Sequence, residues 1–474
     1  MSTAKPRTFF DKVWSDHAIA DMGEDTHLLQ VDRLFLHDVT GGVAMRELRA
    51  QGRPVASRDQ VFSVIDHLLV TKPQDAPRDG WSPAAVQAIA ESRKHSKALG
   101  LHFIDIDDRR QGITHVIAPE LGIALPGLTM VCGDSHTCTL GGIGALAWGI
   151  GTSEVTHVLG TQALAQARPR TMRVWFEGAL QDRVSAKDMV LSLIGRVGAA
   201  GGSGYAVEFA GPAVRALPIE ARLTLCNMAI EFSAKYGFIT PDDSTYEYLS
   251  GREYAPRGSD WEQAVAYWRT LPSDDDARFD TEIRIDCASL APQVTWGTSP
   301  QHVSSIGANV PAPSDLADAG ARALAERALE YQGLAPGTRI EDIPIDVAYI
   351  GTCTNARLSD LREAAALLDG RKIAAGVVAI CVPGSSSVKR AAEAEGLDRI
   401  FRDAGFEWHD SGCGMCGSGR GRLEDVRVVS TSNRNFENRQ GRRTRTHLAS
   451  PVTVAASALT GRITDARRFA TNKG

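Results

Sequence analysis

Six short, largely apolar stretches (61–65, 128–132, 173–176, 345–350, 377–382 and 426–430) are each followed by a turn rich in Gly, Ser, Asn or Asp and then by a helical pattern. This alternation restricts the chain more than any other feature. Strands buried on both faces read as continuous β-branched runs, and strand–turn–helix repetition builds parallel sheets covered by helices. The expected fold class is α/β. Helix limits follow from caps: Ser185 precedes a helix over 186–197 with Gly198, Gly201 and Gly202 behind it, and Pro218 opens a helix predicted to run to near Gly237.

At about 150 residues per domain, 474 residues predict roughly three domains. One boundary is expected within 255–340, where Pro272 and the acidic run Asp274-Asp275-Asp276 break one pattern and Pro311, Pro313 and Pro336 punctuate the next. A softer one lies near Arg168. The expected domains are 1–170, 171–290 and 291–474, and no short period points to a solenoid or propeller.

Composition excludes whole classes of function. With 52 Lys and Arg against 57 Asp and Glu, the net charge of −5 offers no cationic excess for a phosphate backbone, so nucleic acid is not an expected partner. The run 143–150 is interrupted by Gly144 and Gly149 and falls far short of the ~18–20 apolar residues of a membrane span, so no membrane partner is expected either. Asp11 and Asp16 follow Lys5 and Arg7 before any secretory-type apolar region develops, which makes the cytoplasm the expected location. Eight cysteines are too sparse for a disulfide scaffold.

Four constellations can carry chemistry. Cys353, in Gly351-Thr352-Cys353-Thr354-Asn355, follows a predicted strand, and Cys413 and Cys416 lie in Gly412-Cys413-Gly414-Met415-Cys416 after the short run 406–409. Both loops are expected at the C-terminal edge of a parallel sheet, where α/β proteins bind ligands. Three thiolates leave one metal position open for Lewis-acid chemistry, unlike a closed four-ligand site; a zinc knuckle of Cys413, Cys416 and His409, with Cys353 merely buried, is the alternative. Second, Asp66-His67, His115 and Asp134-Ser135-His136 put histidines beside carboxylates at strand ends, which suits general acid catalysis. Third, Asn227 and Glu231 are four apart and share a face of the predicted helix; on pattern alone Glu231 is solvated. Fourth, Asn433, Arg434 and Arg439 follow the strand ending at Ser430, and paired arginines can clamp carboxylates bidentately.

Together with Phe10-Asp11-Lys12-Val13-Trp14, Thr152-Ser153-Glu154-Val155, Thr295-Trp296-Gly297-Thr298 and Arg439-Gln440-Gly441, these motifs resemble the aconitase superfamily of iron–sulfur hydro-lyases, and within it the 3-isopropylmalate dehydratase large subunits. The resemblance runs almost end to end. It implies three α/β/α domains around a cluster cleft, with a [4Fe-4S] cluster on Cys353, Cys413 and Cys416. It implies catalytic roles for His67, His115 and His136, oriented by Asp66, Asp134 and Glu231, and substrate binding by Asn227, Asn433, Arg434 and Arg439. The implied reaction is removal and re-addition of water on a hydroxy-dicarboxylic acid, 2-isopropylmalate to 3-isopropylmalate in leucine biosynthesis. Related enzymes draw their base from a swivelling fourth domain. Here that domain is expected in a separate small subunit, and Ser385 is expected to be structural, because it has no evident activating neighbour.

Three departures from the family pattern bear on the substrate: Leu68 follows the Asp-His pair, Val43 stands near a usual Gln, and 417–429 is rich in Gly and Arg and short. They keep open a family relative acting on a citraconate-, dimethylmaleate- or homoaconitate-type acid. Two readings from other classes compete, an RNA-binding regulator active without its cluster and a zinc-stabilised binding module; the acidic balance argues against the first.

Overall fold

The computed structural model describes residues 5–73, 78–416 and 423–469. They divide into two compact units, one drawn from 1–69, 77–178 and 202–285, the other from 70–76, 179–201 and 286–474. In the first unit a five-stranded sheet has the spatial order His102–Ile104, Val61–Val64, Arg33–His37, Thr129–Cys132, Leu146–Gly149. All four pairings are parallel. In the second unit another five-stranded parallel sheet runs Phe406–Trp408, Val378–Cys381, Val347–Ile350, Arg427–Ser430, Arg445–Leu448. Both sheets place their sequential strands in the order third, second, first, fourth, fifth. The direction of winding reverses beside the first strand of each, which opens a crevice at the carboxyl ends where ligands bind in doubly wound sheets.

Every predicted strand is present, trimmed at its ends or, in the case of 173–176, lengthened to Arg170–Glu177. The helix Ala186–Val197 begins and ends as its cap and glycines require. Ser185 and Asp188 close a capping box, Ser185 N and Oγ both donating to Asp188 Oδ2 at 2.8 Å. The helix expected from Pro218 to near Gly237 is a correction. It stops at Asn227, continues as a 3₁₀ turn over Met228–Phe232, and ends at Ser233, whose φ of 68° is left-handed. The chain must turn there to enter the strand Tyr236–Phe238, which pairs in parallel with Tyr205–Ala210 of a four-stranded sheet in the first unit.

Close backbone approach sets the position of the segment that follows Thr129–Cys132. The 3₁₀ stretch Ser135–Ile143 lies against the helix Ile219–Asn227 so tightly that a β-carbon on Gly142 would come within 2.7 Å of the Leu223 backbone. Aromatic contacts complete this core, Trp148 against Tyr236 at 5.3 Å and Phe9 against Phe238 at 4.9 Å between ring centroids. Among the described residues no helix is long and apolar enough to cross a membrane.

Glu208, on the strand Tyr205–Ala210, is 4% exposed and accepts a 2.6 Å hydrogen bond from Ser273 Oγ. Burial raises its carboxyl to about 7, against smaller opposing effects of Ser273, Arg173 and Lys12. The folded protein therefore holds a proton that the unfolded chain releases between the two pKa values. That difference lowers stability as pH rises through this window. Glu208→Gln is expected to be near neutral below pH 5 and to stabilise by on the order of 2 kcal/mol at pH 8. Thermal unfolding midpoints of both proteins across pH 4.5 to 8 check this.

Candidate active site

In the first unit, strand-end loops bring Asp66, His67, His115, Asp134, His136 and Glu231 together. The Asp134 carboxylate lies 3.1 Å from His67 Nε2, 3.2 Å from His115 Nε2 and 3.5 Å from His136 Nδ1. Its Oδ1 also accepts from the His136 backbone N–H at 2.7 Å. Burial would raise this carboxyl, but hydrogen bonds from His115, His136 and His67 outweigh it and hold Asp134 well below the usual carboxylate range. Asp66 Oδ1 holds His67 Nδ1 at 2.6 Å while its Oδ2 accepts from Thr114 N and Oγ1, both at 2.9 Å. Its pKa is lowered, because the charge and hydrogen bond of His67 overcome burial.

Glu231 Oε1 is 2.6 Å from His136 Nε2, and the residue is 9% exposed, so the expectation of a solvated glutamate does not hold. The helix-face argument that paired it with Asn227 fails as well. Asn227 ends the α-helix and Glu231 sits on the 3₁₀ turn, so the two follow different periodicities. Asn227 Nδ2 donates to Thr139 Oγ1 at 2.8 Å, and Thr139 Oγ1 donates to the His136 carbonyl, which ties the asparagine to the turn that carries His136.

Two further residues, which no sequence motif marks, belong to this cluster. Asp38 accepts from the backbone N–H groups of Asp66, His67 and Leu68 at 3.2, 3.0 and 2.6 Å and so shapes their turn. Burial and the neighbouring charge of Asp66 raise its carboxyl to about 6. His37 stacks on His67 with 4.4 Å between centroids, accepts from Val39 N at Nδ1 and bonds the Gly133 carbonyl through Nε2. Burial, then the charge of His67, lowers its pKa to about 4. The available signal was a His-Asp pair at the end of an apolar run, Leu34-Phe35-Leu36, that lacks β-branched residues. Although the ligand atoms of His37, Asp38, Asp66 and His67 lie within 4.8 Å of one another, the turn and ring contacts above already engage them.

In the second unit, Cys353 follows the strand Val347–Ile350, and Cys413 and Cys416 flank a short turn after Phe406–Trp408. Cys353 and Cys413 are buried and Cys416 is partly so. Asn433 Nδ2 donates to Cys353 Sγ at 3.5 Å and Arg439 donates to Cys416 Sγ at 3.3 Å, with the Arg439 cation 5.2 Å from the Phe436 ring centroid. Arg434 is partly buried in the same loop. Gly351 and Gly414 both lie against the Tyr349 hydroxyl, where a β-carbon on either would collide with it. Gly414 also has a left-handed φ of 52°. Sulfur ligands met by N–H donors fit an iron–sulfur cluster, whose sulfurs carry negative charge. His409 does not serve a zinc knuckle: its ring nitrogens engage Thr71 Oγ1 at 3.3 Å and Glu407 Oε2 at 3.0 Å. Residues 417–422 of the short Gly/Arg-rich segment lie outside the described residues. Ser385 is fully buried and caps the helix Ser386–Ala394, accepting from Val388 N at 3.0 Å.

The sequence profile of the aconitase family (aconitate hydratase) matches residues 11–461. The 3-isopropylmalate dehydratase large subunit 1 of Bradyrhizobium diazoefficiens is 53% identical over 463 residues, covering 97% of this chain and 96% of the relative. Among solved structures, the crystal structure of Thermococcus kodakaraensis aconitase X in its holo form matches 87% of each chain at 13% identity and a TM-score of 0.46. The profile spans nearly the whole chain and the curated relative more than half matches it residue for residue; the chain belongs to the aconitase family.

Proposed function

We propose that this chain is the large subunit of a 3-isopropylmalate dehydratase, which interconverts 2-isopropylmalate and 3-isopropylmalate by loss and re-addition of water. The single observation that carries the reading is the 53% identity over 97% of the chain to a protein of that name. A cytoplasmic setting, and three domains over 1–170, 171–290 and 291–474, go with it. Cys353, Cys413 and Cys416 would hold a [4Fe-4S] cluster, which supplies a Lewis acid for the departing hydroxyl when bound.

The chain's own residues would do the acid–base and positioning work. His67 has a carboxylate at each ring nitrogen, an arrangement that stabilises its doubly protonated form. Its Nε2 proton, on the longer 3.1 Å contact, is the one available to a leaving hydroxyl. His115 and His136 share Asp134, and Glu231 fixes the ring plane of His136. Arg434 and Arg439 would hold substrate carboxylates and Asn433 would orient the groups around them; Asn227 is likewise read as a substrate-binding residue. The base that removes the proton from the adjacent carbon is assigned to a small subunit with the swivelling domain. Ser385 is committed to its helix cap, which argues against an internal substitute. A second reading, hydration of a citraconate- or dimethylmaleate-type acid or of a homoaconitate-type acid, rests on Leu68, which adjoins the apolar cluster of Ile65, Leu69, Ile89 and Ile106 beside His67.

Three outcomes are expected. Anaerobically prepared protein is brown, and Ser at 353, 413 or 416 abolishes its iron, whereas Cys381→Ser, on a buried strand position, retains it; equal iron in all four variants contradicts the ligand set. Asp66→Asn lowers kcat by about 100-fold or more at little change in KM, because general acid catalysis is worth that much, and steady-state kinetics on the reconstituted enzyme measures it. The cluster-loaded chain alone is nearly inactive and gains 2-isopropylmalate dehydration on titration with its small subunit, saturating at equal stoichiometry. Activity confined to methyl-substituted acids in that titration favours the second reading.

A further inference from the structure

Lys187 is the second residue of the helix Ala186–Val197 and is fully buried. Its ammonium donates to the backbone carbonyls of Thr431 and Ser432, the latter at 2.6 Å. Among the described residues no carboxylate oxygen comes within ion-pairing distance of it. Burial lowers the pKa of this ammonium to about 7, and the negative groups that favour its charged form from further away are Asp360, Asp188 and the Cys353 sulfur. Both carboxylates have other work. Asp188 closes its own helix and accepts from Gln293 N at 2.8 Å. Asp360 accepts from Arg357 N at 3.0 Å and from Asn355 Nδ2 at 2.9 Å. A buried cation without a direct counter-ion is costly to keep unless something else nearby carries negative charge.

The groups that Lys187 holds surround Cys353. Thr431 Oγ1 donates to the Gly351 carbonyl and accepts from Gly351 N, both at 2.9 Å, and lies 3.2 Å from the Asn355 carbonyl. Two residues after Thr431, Asn433 Nδ2 meets the Cys353 sulfur. The ammonium thus fixes the first two carbonyls of the turn whose asparagine faces that ligand.

We propose that Lys187 is a positioning residue for the sulfur site: its buried positive charge offsets the negative charge gathered at Cys353, and its two hydrogen bonds hold the 431–433 turn in place. The inference rests on the reading of Cys353, Cys413 and Cys416 as cluster ligands. A nearby cation favours the more negative, reduced state of a cluster over the oxidised one. Removing it must lower the reduction potential and ease the oxidation through which iron is lost.

The test compares the wild-type holoenzyme with Lys187→Gln, which keeps a donor for the carbonyls without the charge, with Lys187→Met, which removes both, and with Lys187→Arg, which keeps both. Redox titration followed by electron paramagnetic resonance, and the rate of iron release in air, are read on each. The expected result is a lower potential and about tenfold faster iron release for Gln and Met, with Arg close to wild type. If Met does not fold, Gln against Arg still isolates the charge. A folded Gln variant with the potential and iron-release rate of wild type overturns the inference. A wild-type protein that holds no cluster after anaerobic reconstitution overturns instead the ligand reading beneath it.

Discussion

The charge on one partly buried carboxylate organises the first unit. Asp134 stands at the end of a central strand with three imidazoles around it, and it stays ionised because their hydrogen bonds outweigh the cost of burial. Without that charge, His67, His115 and His136 would have no common anchor. The structure around Asp134 serves to bring it there. Gly142 lets the following 3₁₀ stretch lie directly on the Leu223 backbone, and that approach carries His136 to Glu231. Asp38 shapes the Asp66–Leu68 turn from the neighbouring strand end.

The second unit meets an analogous need with the opposite charge. Its sheet repeats the strand order of the first, and part of its chemistry-bearing set follows the two strands beside which the winding reverses, Cys353 after one and Asn433 and Arg434 after the other, while Cys413 and Cys416 follow the edge strand Phe406–Trp408. Here N–H donors of Asn433 and Arg439 face sulfur and the Lys187 ammonium holds carbonyls of the adjoining turn, where a carboxylate faces nitrogen in the first unit. A fold that offers loops at one sheet edge can host either kind of centre, and the side chains placed there decide which.

Much of this was legible in the sequence, for stated physical reasons. Strands buried on both faces are written as β-branched runs, so 61–65, 128–132, 345–350, 377–382 and 426–430 could be located to within a residue or two. Ser185 and the glycines after Val197 marked their helix because caps are local chemistry. What stayed hidden depends on tertiary approach. Leu34-Phe35-Leu36 has no β-branched residue, so the central strand of the first sheet, and with it His37 and Asp38, gave no signal. The end of the helix at Asn227 is imposed by the strand Tyr236–Phe238 that must follow, and no local breaker announces it. Glu231 reads as a surface residue until His136, 95 positions away, is seen to cover it. Lys187 looks like an ordinary helix lysine, because its partners lie 244 and 245 positions further on.

The central claim is that three cysteines of this chain hold a cluster with one iron left open to substrate. Mössbauer spectroscopy on protein reconstituted with isotopically enriched iron, with the small subunit present, tests it most directly. The account predicts one iron in four with a distinct signal that shifts when 2-isopropylmalate is added while the others stay put. Four equivalent irons indifferent to substrate, or a colourless protein that takes up zinc in their place, would contradict it.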